Sequence, residues 1–316
     1  MSKRKSGLNI HGILLLDKRL GISSNKALQE VRRLFNANKA GHTGSLDPMA
    51  TGLLPLCFGE ATKVSSLMLD DNKRYQVVIQ LGVVTDTGDA EGNVIATKPV
   101  PELTPIDLQL CLDRFTGDIE QVPPMYSALK QNGKKLYQLA REGKTVERKA
   151  RHISIFELKL LDFFKDQITL EVLCSKGTYI RSLAEDIGYF LGCGGSVRSL
   201  RRLESGQFSL KNAYKIEQLT AMEPLALTQC LINVDKPLET LPFVQLSDQQ
   251  TISIKLGQSV DLMFSEIDSP TVIFKNQNTT VRMYNHSQFL GLGEMRLDGK
   301  LAPKKLFNLT TNFITR

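Results

Sequence analysis

Long apolar runs, which membrane and secreted proteins need, are missing from this sequence of 316 residues. The longest purely apolar run near the N-terminus covers only residues 13–16, far short of the roughly 20 residues of a membrane-spanning helix. The first residues are basic, and no apolar stretch of signal-peptide length follows them. We therefore expect a cytoplasmic protein that makes no membrane contact.

Cysteine and histidine are also scarce, with five cysteines and four histidines. The cysteines are widely spaced, no C-x-x-C occurs, and the histidines do not cluster with them. This distribution argues against a disulfide framework and against a zinc site. A nucleotide-binding fingerprint and a P-loop are missing as well. We expect a protein that binds no metal and uses no cofactor.

Basic charge, by contrast, is abundant, with a net charge of +7 and a pI of about 9.1. Between Lys130 and Arg151, eight lysines and arginines stand against two acids, Glu142 and Glu147. Such an excess is either a solvated charged face or a surface for an anion, because crowded like charges repel each other unless an anion covers them. We favour contact with phosphates of an anionic partner over a solvated charged face.

The most distinctive stretch runs from Gly41 to Lys63 and reads GHTGSLDPMATGLLPLCFGEATK. Glycines surround one aspartate, Asp47, and Pro48 follows it directly. Glycine permits unusual backbone angles and proline restricts its own residue and the one before it, so we predict a stiff loop that aims one carboxylate. The same residue types also form ordinary surface turns, and composition alone does not separate the two readings.

The whole stretch resembles the catalytic motif of the TruB family of tRNA pseudouridine synthases, which reads GHTG(T/S)LDP followed by A-T-G-x-L. Further blocks resemble the same family: PPMYSALK at residues 123–130, CSKGTYIRS at residues 174–182 and LRRL at residues 200–203. The family usually has a proline after the lysine of its first loop, whereas this chain keeps Lys18 and has Arg19. That departure bears on the stiffness of the loop and not on the chemistry.

The resemblance implies an enzyme that flips uridine 55 out of the T loop of tRNA and isomerises it to pseudouridine. It implies that Asp47 is the catalytic carboxylate, that Arg181 pairs with it, that Tyr75 packs on the uracil, and that residues 125–152 form an RNA-clamping segment. The Tyr75 hydroxyl is one candidate for removing the C5 proton, and the acceptor of that proton stays open. The other substrate-binding residues that it implies are His42 as a stacking ring, Tyr179 and Leu200 as pocket walls, and Lys18 as a phosphate contact. The implied partner is tRNA, and we expect a monomer with no obligatory protein partner.

The chemistry of this isomerisation fits these residue types. The N1–C1′ bond breaks, the base turns and C5 joins C1′, so no atoms are added and no redox change occurs. One ionised carboxylate is needed, either to attack or to stabilise positive charge at C1′. A free aspartate has a pKa of about 3.9, so we expect Asp47 to be ionised, with Arg181 favouring the charged form. Attack on the sugar, attack on the base and removal of a sugar proton all stay open.

The predicted fold class is α+β, in two domains. Residues 1–236 are predicted to form the pseudouridine synthase catalytic domain, a central mixed or antiparallel sheet flanked by helices. Residues 240–316 alternate short strands with turns and are predicted to form a small β-barrel that resembles a PUA-like RNA-binding domain. The resemblance covers residues 10–215 well and the remainder loosely.

Local patterns predict individual elements along the chain. We expect strands at residues 10–16 and 75–81, and a helix over residues 60–69. Capping preferences predict helices that begin with Ser24 as the cap, with Thr104 as the cap and at Gly177-Thr178. In the C-terminal part the predicted strands are residues 272–274, 280–283, 289–293 and 301–306.

Three other functions fit parts of the sequence. Ser127 and Lys130 form the S-x-x-K motif of serine acyl-hydrolases, but its usual companions S-D-N and K-T-G do not occur. Asp47 and Glu60 are the carboxylate pair that a glycosidase would need. A non-catalytic RNA-binding protein would use the basic segment, but gives no reason for Asp47, Arg181 and Tyr75 to occur together.

Overall fold

The protein was analysed as a computed structural model, which describes residues 7–131, 133–262 and 278–310. Its strands before residue 210 are β1 (Gly12–Lys18), β2 (Ala40–His42), β3 (Ala50–Phe58), β4 (Lys73–Leu81), β5 (Val83–Thr85), β6 (Val94–Thr97), β7 (Gly117–Gln121), β8 (Lys130–Gln131), β9 (Lys134–Lys135), β10 (Arg151–Phe164), β11 (Gln167–Cys174), β12 (Gly195–Ser205) and β13 (Phe208–Ser209). The helices are α1 (Ser24–Leu34), α2 (Ser65–Leu69), α3 (Pro105–Phe115), α4 (Leu136–Arg141), α5 (Ile180–Phe190), α6 (Ile216–Thr220), α7 (Pro224–Gln229) and α8 (Asp248–Lys255). Short 3-10 helices cover Gly59–Lys63, Leu210–Asn212 and Lys236–Leu238.

A mixed sheet forms the centre of the molecule, with the strand order β1-β3-β12-β4-β11-β10-β7, β2 paired to β3 and β13 paired to β12. Strands β12 and β3 run parallel, whereas the other neighbours are antiparallel. The predicted α+β class with a central mixed sheet is therefore confirmed. The parallel pairing sets Leu200 beside Ala50 and Arg202 beside Gly52, so β12 lies directly against the strand that follows Asp47.

The C-terminal sheet contains β14 (Phe243–Gln245), β15 (Val260–Asp261), β16 (Thr279–Asn285), β17 (Gln288–Met295) and β18 (Lys300–Leu306) in the order β14-β16-β17-β18-β15. It curls into a half-barrel, which fits the PUA-like prediction, whereas a closed barrel is not formed by the described strands. The strand predicted at residues 272–274 lies outside the described residues. The other three predicted C-terminal strands correspond to β16, β17 and β18.

The two sheets share one hydrophobic cluster. Ile13 and Leu15 of β1 are buried in it together with Phe289 of β17 and with Phe307, which follows β18. Polar contacts reinforce the junction, since Lys63 Nζ donates to the Leu306 carbonyl at 2.7 Å. The half-barrel is therefore packed directly against the central sheet.

Several predicted helix starts are corrected by the structure. The N-cap of α1 is Ser23, which accepts from the Lys26 amide at 3.2 Å, because the hydroxyl of Ser24 is bound to a neighbouring loop. Helix α5 begins at Ile180 rather than at residue 177, since Gly177 adopts a positive φ of 82°. The predicted helix over residues 60–69 is a 3-10 turn followed by the short α2. The prediction of Thr104 as the N-cap of α3 is confirmed, and Thr104 also forms a capping box with Asp107.

Among the described residues, no helix is both long enough and apolar enough to cross a membrane.

Candidate active site

The loop between β2 and β3 carries Asp47 and is held from several sides. Gly44 has a φ of 87°, a conformation that L side chains rarely adopt. The guanidinium of Arg202 donates to the Gly44 carbonyl at 3.3 Å, and the Ala50 amide donates to the Asp47 carbonyl at 3.0 Å. At Gly52 a Cβ would lie 2.3 Å from the Arg202 carbonyl, so only glycine lets β3 approach β12 this closely. These contacts fix the direction of the carboxylate, as the sequence predicts.

Arg181 pairs with the Asp47 carboxylate, with 3.0 Å between Arg181 Nε and Asp47 Oδ2. The arginine side chain is only 6% exposed, whereas that of Asp47 is 40% exposed and is open to a cleft. The other guanidinium nitrogens donate to the Thr87 carbonyl at 3.1 Å and to the Tyr126 carbonyl at 2.7 Å. Arg181 is therefore fixed in one orientation, with Nε left to hold the carboxylate.

The direction of the pKa shift of Asp47 differs from the sequence-based expectation. Burial raises the pKa of its carboxyl above the ordinary value, and Arg181 only partly opposes this rise. Asp89, whose Oδ2 lies 3.6 Å from Arg181 Nη1, pushes the pKa of Asp47 in the same direction as burial. Desolvation thus outweighs the single cation that the sequence predicts. The carboxylate is destabilised by its surroundings, and a destabilised anion is a more reactive one.

The cleft in front of Asp47 has a volume of about 580 Å³. Of the sequence-predicted site residues, the structure brings five together on its wall: Asp47, Tyr75, Tyr179, Arg181 and Leu200. Side chains from the RNA-clamping segment complete the wall, among them Tyr126, Ser127, Tyr137 and Arg141. The wall is mainly apolar and aromatic, and the Asp47 carboxylate is exposed within it.

Tyr75 lies on β4, opposite Arg202 of β12 in the strand register. Burial raises the pKa of the Tyr75 hydroxyl, and a side-chain hydrogen bond from Arg202 opposes the rise. Arg202 itself is 1% exposed and also donates to the Leu53 carbonyl at 2.7 Å. One buried arginine therefore connects the tyrosine, the loop of Asp47 and the strand that follows it.

Lys18 and His42 do not line this cleft. The prediction that Lys18 contacts phosphate is wrong for this structure, because its side chain is 0% exposed and its ammonium donates to the carbonyls of Arg19, Ile22 and Pro48. The lysine thus holds the backbone next to Asp47 and offers no charge at the surface. His42 ends β2; burial, together with Arg202, lowers its pKa, so its ring is neutral. Its Nδ1 is buried without a hydrogen-bond partner in the described part of the chain.

Three residues of this site were not predicted from the sequence, namely Arg202, Asp89 and Glu91. Asp89 and Glu91 line the cleft from the turn between β5 and β6. The only local signal was an acidic, glycine-containing turn at residues 86–93, which is also what an ordinary turn contains. Arg202 lies inside the LRRL block, but its burial depends on strand pairing that no local pattern reveals.

Models of protein families match nearly the whole chain. The TruB family pseudouridylate synthase N-terminal domain matches residues 32–180, and the tRNA pseudouridylate synthase B C-terminal domain matches residues 181–240. The C-terminal domain of pseudouridine synthase II TruB matches residues 242–307. Curated relatives agree over their full length: tRNA pseudouridine synthase B of Chromohalobacter salexigens is 48% identical over 308 residues, which is 98% of each chain.

The chain belongs to the TruB family of pseudouridylate synthases. A second relative, tRNA pseudouridine synthase B of Actinobacillus pleuropneumoniae, is 46% identical over 97% of this chain and 99% of its own. The same name is given to the protein of Francisella tularensis subsp. novicida, which is 47% identical over 96% of this chain and 97% of its own. The family resemblance drawn from the four sequence blocks is thus confirmed.

Two solved structures share the fold of this chain over nearly all of its length. A Cbf5-Nop10-Gar1 complex contains a chain with a TM-score of 0.69 at 23% identity, covering 94% of this chain and 84% of its own. An H/ACA RNP bound to a substrate RNA containing 2′-deoxyuridine gives a TM-score of 0.68 at 20% identity, covering 98% and 92%. At these identities the likeness establishes the fold alone.

Proposed function

We propose that this protein isomerises uridine 55 in the T loop of tRNA to pseudouridine. The names of the curated relatives, tRNA pseudouridine synthase B, support the substrate class. The observation that carries the proposal is the pairing of Asp47 with Arg181 at 3.0 Å inside a cleft that Tyr75 and Leu200 also line. This arrangement provides one aimed anion and an apolar slot for a flat base.

Asp47 acts on the nucleoside as the single catalytic carboxylate. Its raised pKa reflects poor solvation, so the anion gains by interacting with positive charge that develops at C1′ as the N1–C1′ bond breaks. Arg181 keeps the carboxylate aimed, because its other nitrogens are committed to backbone carbonyls. The detached uracil turns within the cleft and C5 bonds to C1′. The C5 proton then leaves to a base in the cleft, for which the Tyr75 hydroxyl in the wall is a candidate, and N1 takes up a proton to complete pseudouridine.

The target base reaches the cleft only after it leaves its stack in the RNA loop, which costs a few kcal/mol. We propose that Tyr75 packs on the flipped uracil and that Tyr179 and Leu200 confine it. His42 is suited to stack in the space that the base leaves, because its neutral ring carries no charge to be solvated. Water is kept from the intermediate by the same walls, so that the base rejoins the sugar before hydrolysis.

The competing enzyme classes fit the geometry less well. Glu60 bonds Lys63 Nζ at 2.5 Å and the Asn308 amide at 3.0 Å, so it is bound at the junction with the half-barrel and does not line the Asp47 cleft. A glycosidase pair is therefore not formed. Ser127 lies in an irregular segment and Lys130 in β8, so the helix that an S-x-x-K hydrolase requires is missing there.

The remaining proposals concern organisation. We propose a catalytic domain at residues 1–236 and a PUA-like RNA-binding domain at residues 240–316. The basic segment 125–152 then positions tRNA through its phosphates without reading sequence. The enzyme works as a cytoplasmic monomer with no obligatory protein partner and no cofactor.

The proposed function is tested by incubating the protein with an unmodified tRNA transcript and mapping pseudouridine at single-nucleotide resolution. We expect modification at position 55 alone. The Asp47→Asn variant keeps the shape of the side chain, and we expect it to form no pseudouridine while binding the transcript as tightly as the wild type. Modification at another position overturns the site assignment, and near wild-type activity of Asp47→Asn removes this residue from its role.

A further inference from the structure

Helix α5 carries a second charged residue on the side where Arg181 lies. Glu185 follows Arg181 by four residues, which places both on one face of the helix. Gly88 packs between them: a Cβ there would lie 3.5 Å from Arg181 Cβ and 2.5 Å from Glu185 Oε1. Glu185 is therefore part of the contact between α5 and the turn that supplies Asp89 and the Thr87 carbonyl to the active site.

The first turns of α5 also hold the beginning of the RNA-clamping segment. Ser182 Oγ donates to the Val122 carbonyl at 3.0 Å, and Arg181 Nη2 donates to the Tyr126 carbonyl at 2.7 Å. Arg148, near the other end of the segment, donates from Nη1 to the carbonyl of Pro123 at 3.2 Å. The two ends of the RNA-clamping segment therefore lie close to residues 122–126, which are hydrogen-bonded to α5.

Two side chains of opposite charge have polar atoms without a hydrogen-bond partner among the described residues at this place. The carboxylate of Glu185 makes no hydrogen bond and no ion pair within residues 7–131, 133–262 and 278–310, although it is half-buried. Arg148 Nε is hidden from solvent and finds no acceptor in the same described residues. A buried polar group without a partner costs free energy, and the cost grows when water is excluded around it.

Four charged groups act electrostatically on the Glu185 carboxylate: Arg181 and Asp186 from its own helix, Asp89 from the packed turn and Arg148 from the RNA-clamping segment. Burial raises the pKa of Glu185 to about 6, with repulsion from Asp186 as the next cause. The two arginines oppose the rise. In the RNA-free protein this carboxylate is consequently ionised at neutral pH and becomes neutral only below about pH 6.

We propose that Glu185 is a positioning residue of the synthase reaction, which receives the Arg148 guanidinium when RNA covers the cleft and so ties the RNA-clamping segment to the helix of Arg181. The inference rests on the proposed function. RNA phosphates draw the basic segment inward and exclude water, which leaves Glu185 and Arg148 as each other's available partner. Pairing also fixes the Tyr126 carbonyl, to which Arg181 donates, and thereby the direction of Arg181 Nε toward Asp47.

A double-mutant cycle tests the pairing. Affinity for a tRNA transcript is measured at pH 7.5 for Glu185→Gln, Arg148→Gln and their combination, all in the Asp47→Asn background so that no turnover occurs. We expect each single change to weaken binding on the order of ten-fold, and the combination to be no weaker than the worse single variant. Additive losses in the combined variant overturn the proposal. Thermal melting of each variant is recorded, and unchanged midpoints separate lost coupling from lost folding.

The pH dependence gives a second readout that a purely structural role would not move. Between pH 7.5 and 5.5 we expect the parent to lose affinity as Glu185 is protonated, and Glu185→Gln to lack this component. Asp186→Asn is the matched control, because it removes the neighbouring carboxylate: it is expected to keep affinity at pH 7.5 and to shift the loss to lower pH. Identical profiles for the parent and Glu185→Gln contradict the proposal.

The proposed function and this inference fail in different ways. A wild-type protein that leaves the transcript unmodified disproves the proposed function, whereas the binding cycle still decides whether Glu185 and Arg148 are coupled. A fully active wild type with no coupling disproves the inference alone. In the active enzyme, with Asp47 intact, we expect Glu185→Gln to lower kcat as well as affinity, because Arg181 is then less well held.

Discussion

Ser24 and Leu46 are joined by two hydrogen bonds that connect helix α1 to the loop of Asp47. The Ser24 hydroxyl donates to the Leu46 carbonyl at 3.0 Å and accepts from the Leu46 amide at 2.7 Å. Both groups are buried, and Leu46 directly precedes Asp47. Ser23 caps α1, and the hydroxyl of Ser24, the first residue of the helix, instead holds the backbone next to Asp47.

The Ser24→Ala variant tests this connection. Without the hydroxyl, a buried amide and a buried carbonyl lose their partner, and we expect stability to fall by about 1–3 kcal/mol. We also expect kcat to fall while affinity for tRNA stays unchanged, because the loop and not the RNA surface is loosened. Ser23→Ala is the control: it removes the true N-cap of α1, so it costs about 1 kcal/mol and leaves kcat intact. Equal kcat for both variants contradicts a role of Ser24 in aiming Asp47.

Arg181→Lys keeps a cation in the cleft but removes the geometry of the guanidinium. A lysine cannot bond the Thr87 and Tyr126 carbonyls and still reach the Asp47 carboxylate, because it has no planar fork of donors. We expect kcat to fall at least a hundred-fold, an order-of-magnitude figure from the loss of a positioned charge, with tRNA affinity within about two-fold. Single-turnover rates and equilibrium binding measure the two effects separately.

Arg201→Lys is the matched control for this prediction. Arg201 also pairs with an aspartate, with Nη2 at 2.7 Å from Asp17 Oδ2, but its side chain is 38% exposed and it does not line the cleft. An ion pair of this exposure contributes about 0–1 kcal/mol. We therefore expect near wild-type kcat for Arg201→Lys. If kcat falls by a comparable factor in both variants, the orientation of the Arg181 guanidinium is not the cause of the loss.

The arginines of this region also illustrate which parts of the site could be predicted from the sequence. The Arg181–Asp47 pair was expected because each residue lies in a recognisable local block. Arg202 differs from Arg201 only in its place along β12, and its burial follows from pairing with β3 and β4, strands more than a hundred residues earlier in the chain. A period-two alternation gives two faces, but not which face a partner strand covers.

The elements of the fold show the same division between local and distant causes. The cap of α3 was predictable since Thr104, Pro105 and Asp107 act on one another directly. The cap of α1 was not, because Leu46 competes for the Ser24 hydroxyl from 22 residues away. Lys18 was misjudged for a related reason: a lysine in a loop is usually solvated, and three carbonyls brought together by folding reverse that preference.

The burial of Lys18 predicts a distinctive dependence of stability on alkaline pH. Burial lowers the pKa of Lys18 from 10.5 to about 8. Between these values the unfolded chain holds the proton and the folded chain has lost it, so the free energy of unfolding rises with pH in this window. We expect the wild type to gain up to about 3 kcal/mol relative to Lys18→Met between pH 8 and pH 10.5. Chemical denaturation at a series of pH values gives both curves; parallel curves would show that Lys18 keeps its proton on folding.

Lys134 and Lys135 test the RNA-clamping segment by its response to salt. Both lie on β9, where Lys134 Nζ is only loosely paired with Glu142 at 3.7 Å and the Lys135 ammonium lies over the Tyr137 ring. If each contacts a phosphate, replacing both with glutamine weakens tRNA binding and makes the plot of log affinity against log salt shallower by roughly one to two units, because fewer counterions are released. Lys165→Gln, at the opposite end of β10 from the segment, should leave the slope unchanged. Glutamine, unlike glutamate, adds no repulsion with Glu142. If the double variant binds tRNA more weakly but with an unchanged salt slope, this hairpin is a solvated charged face and the phosphates are bound elsewhere.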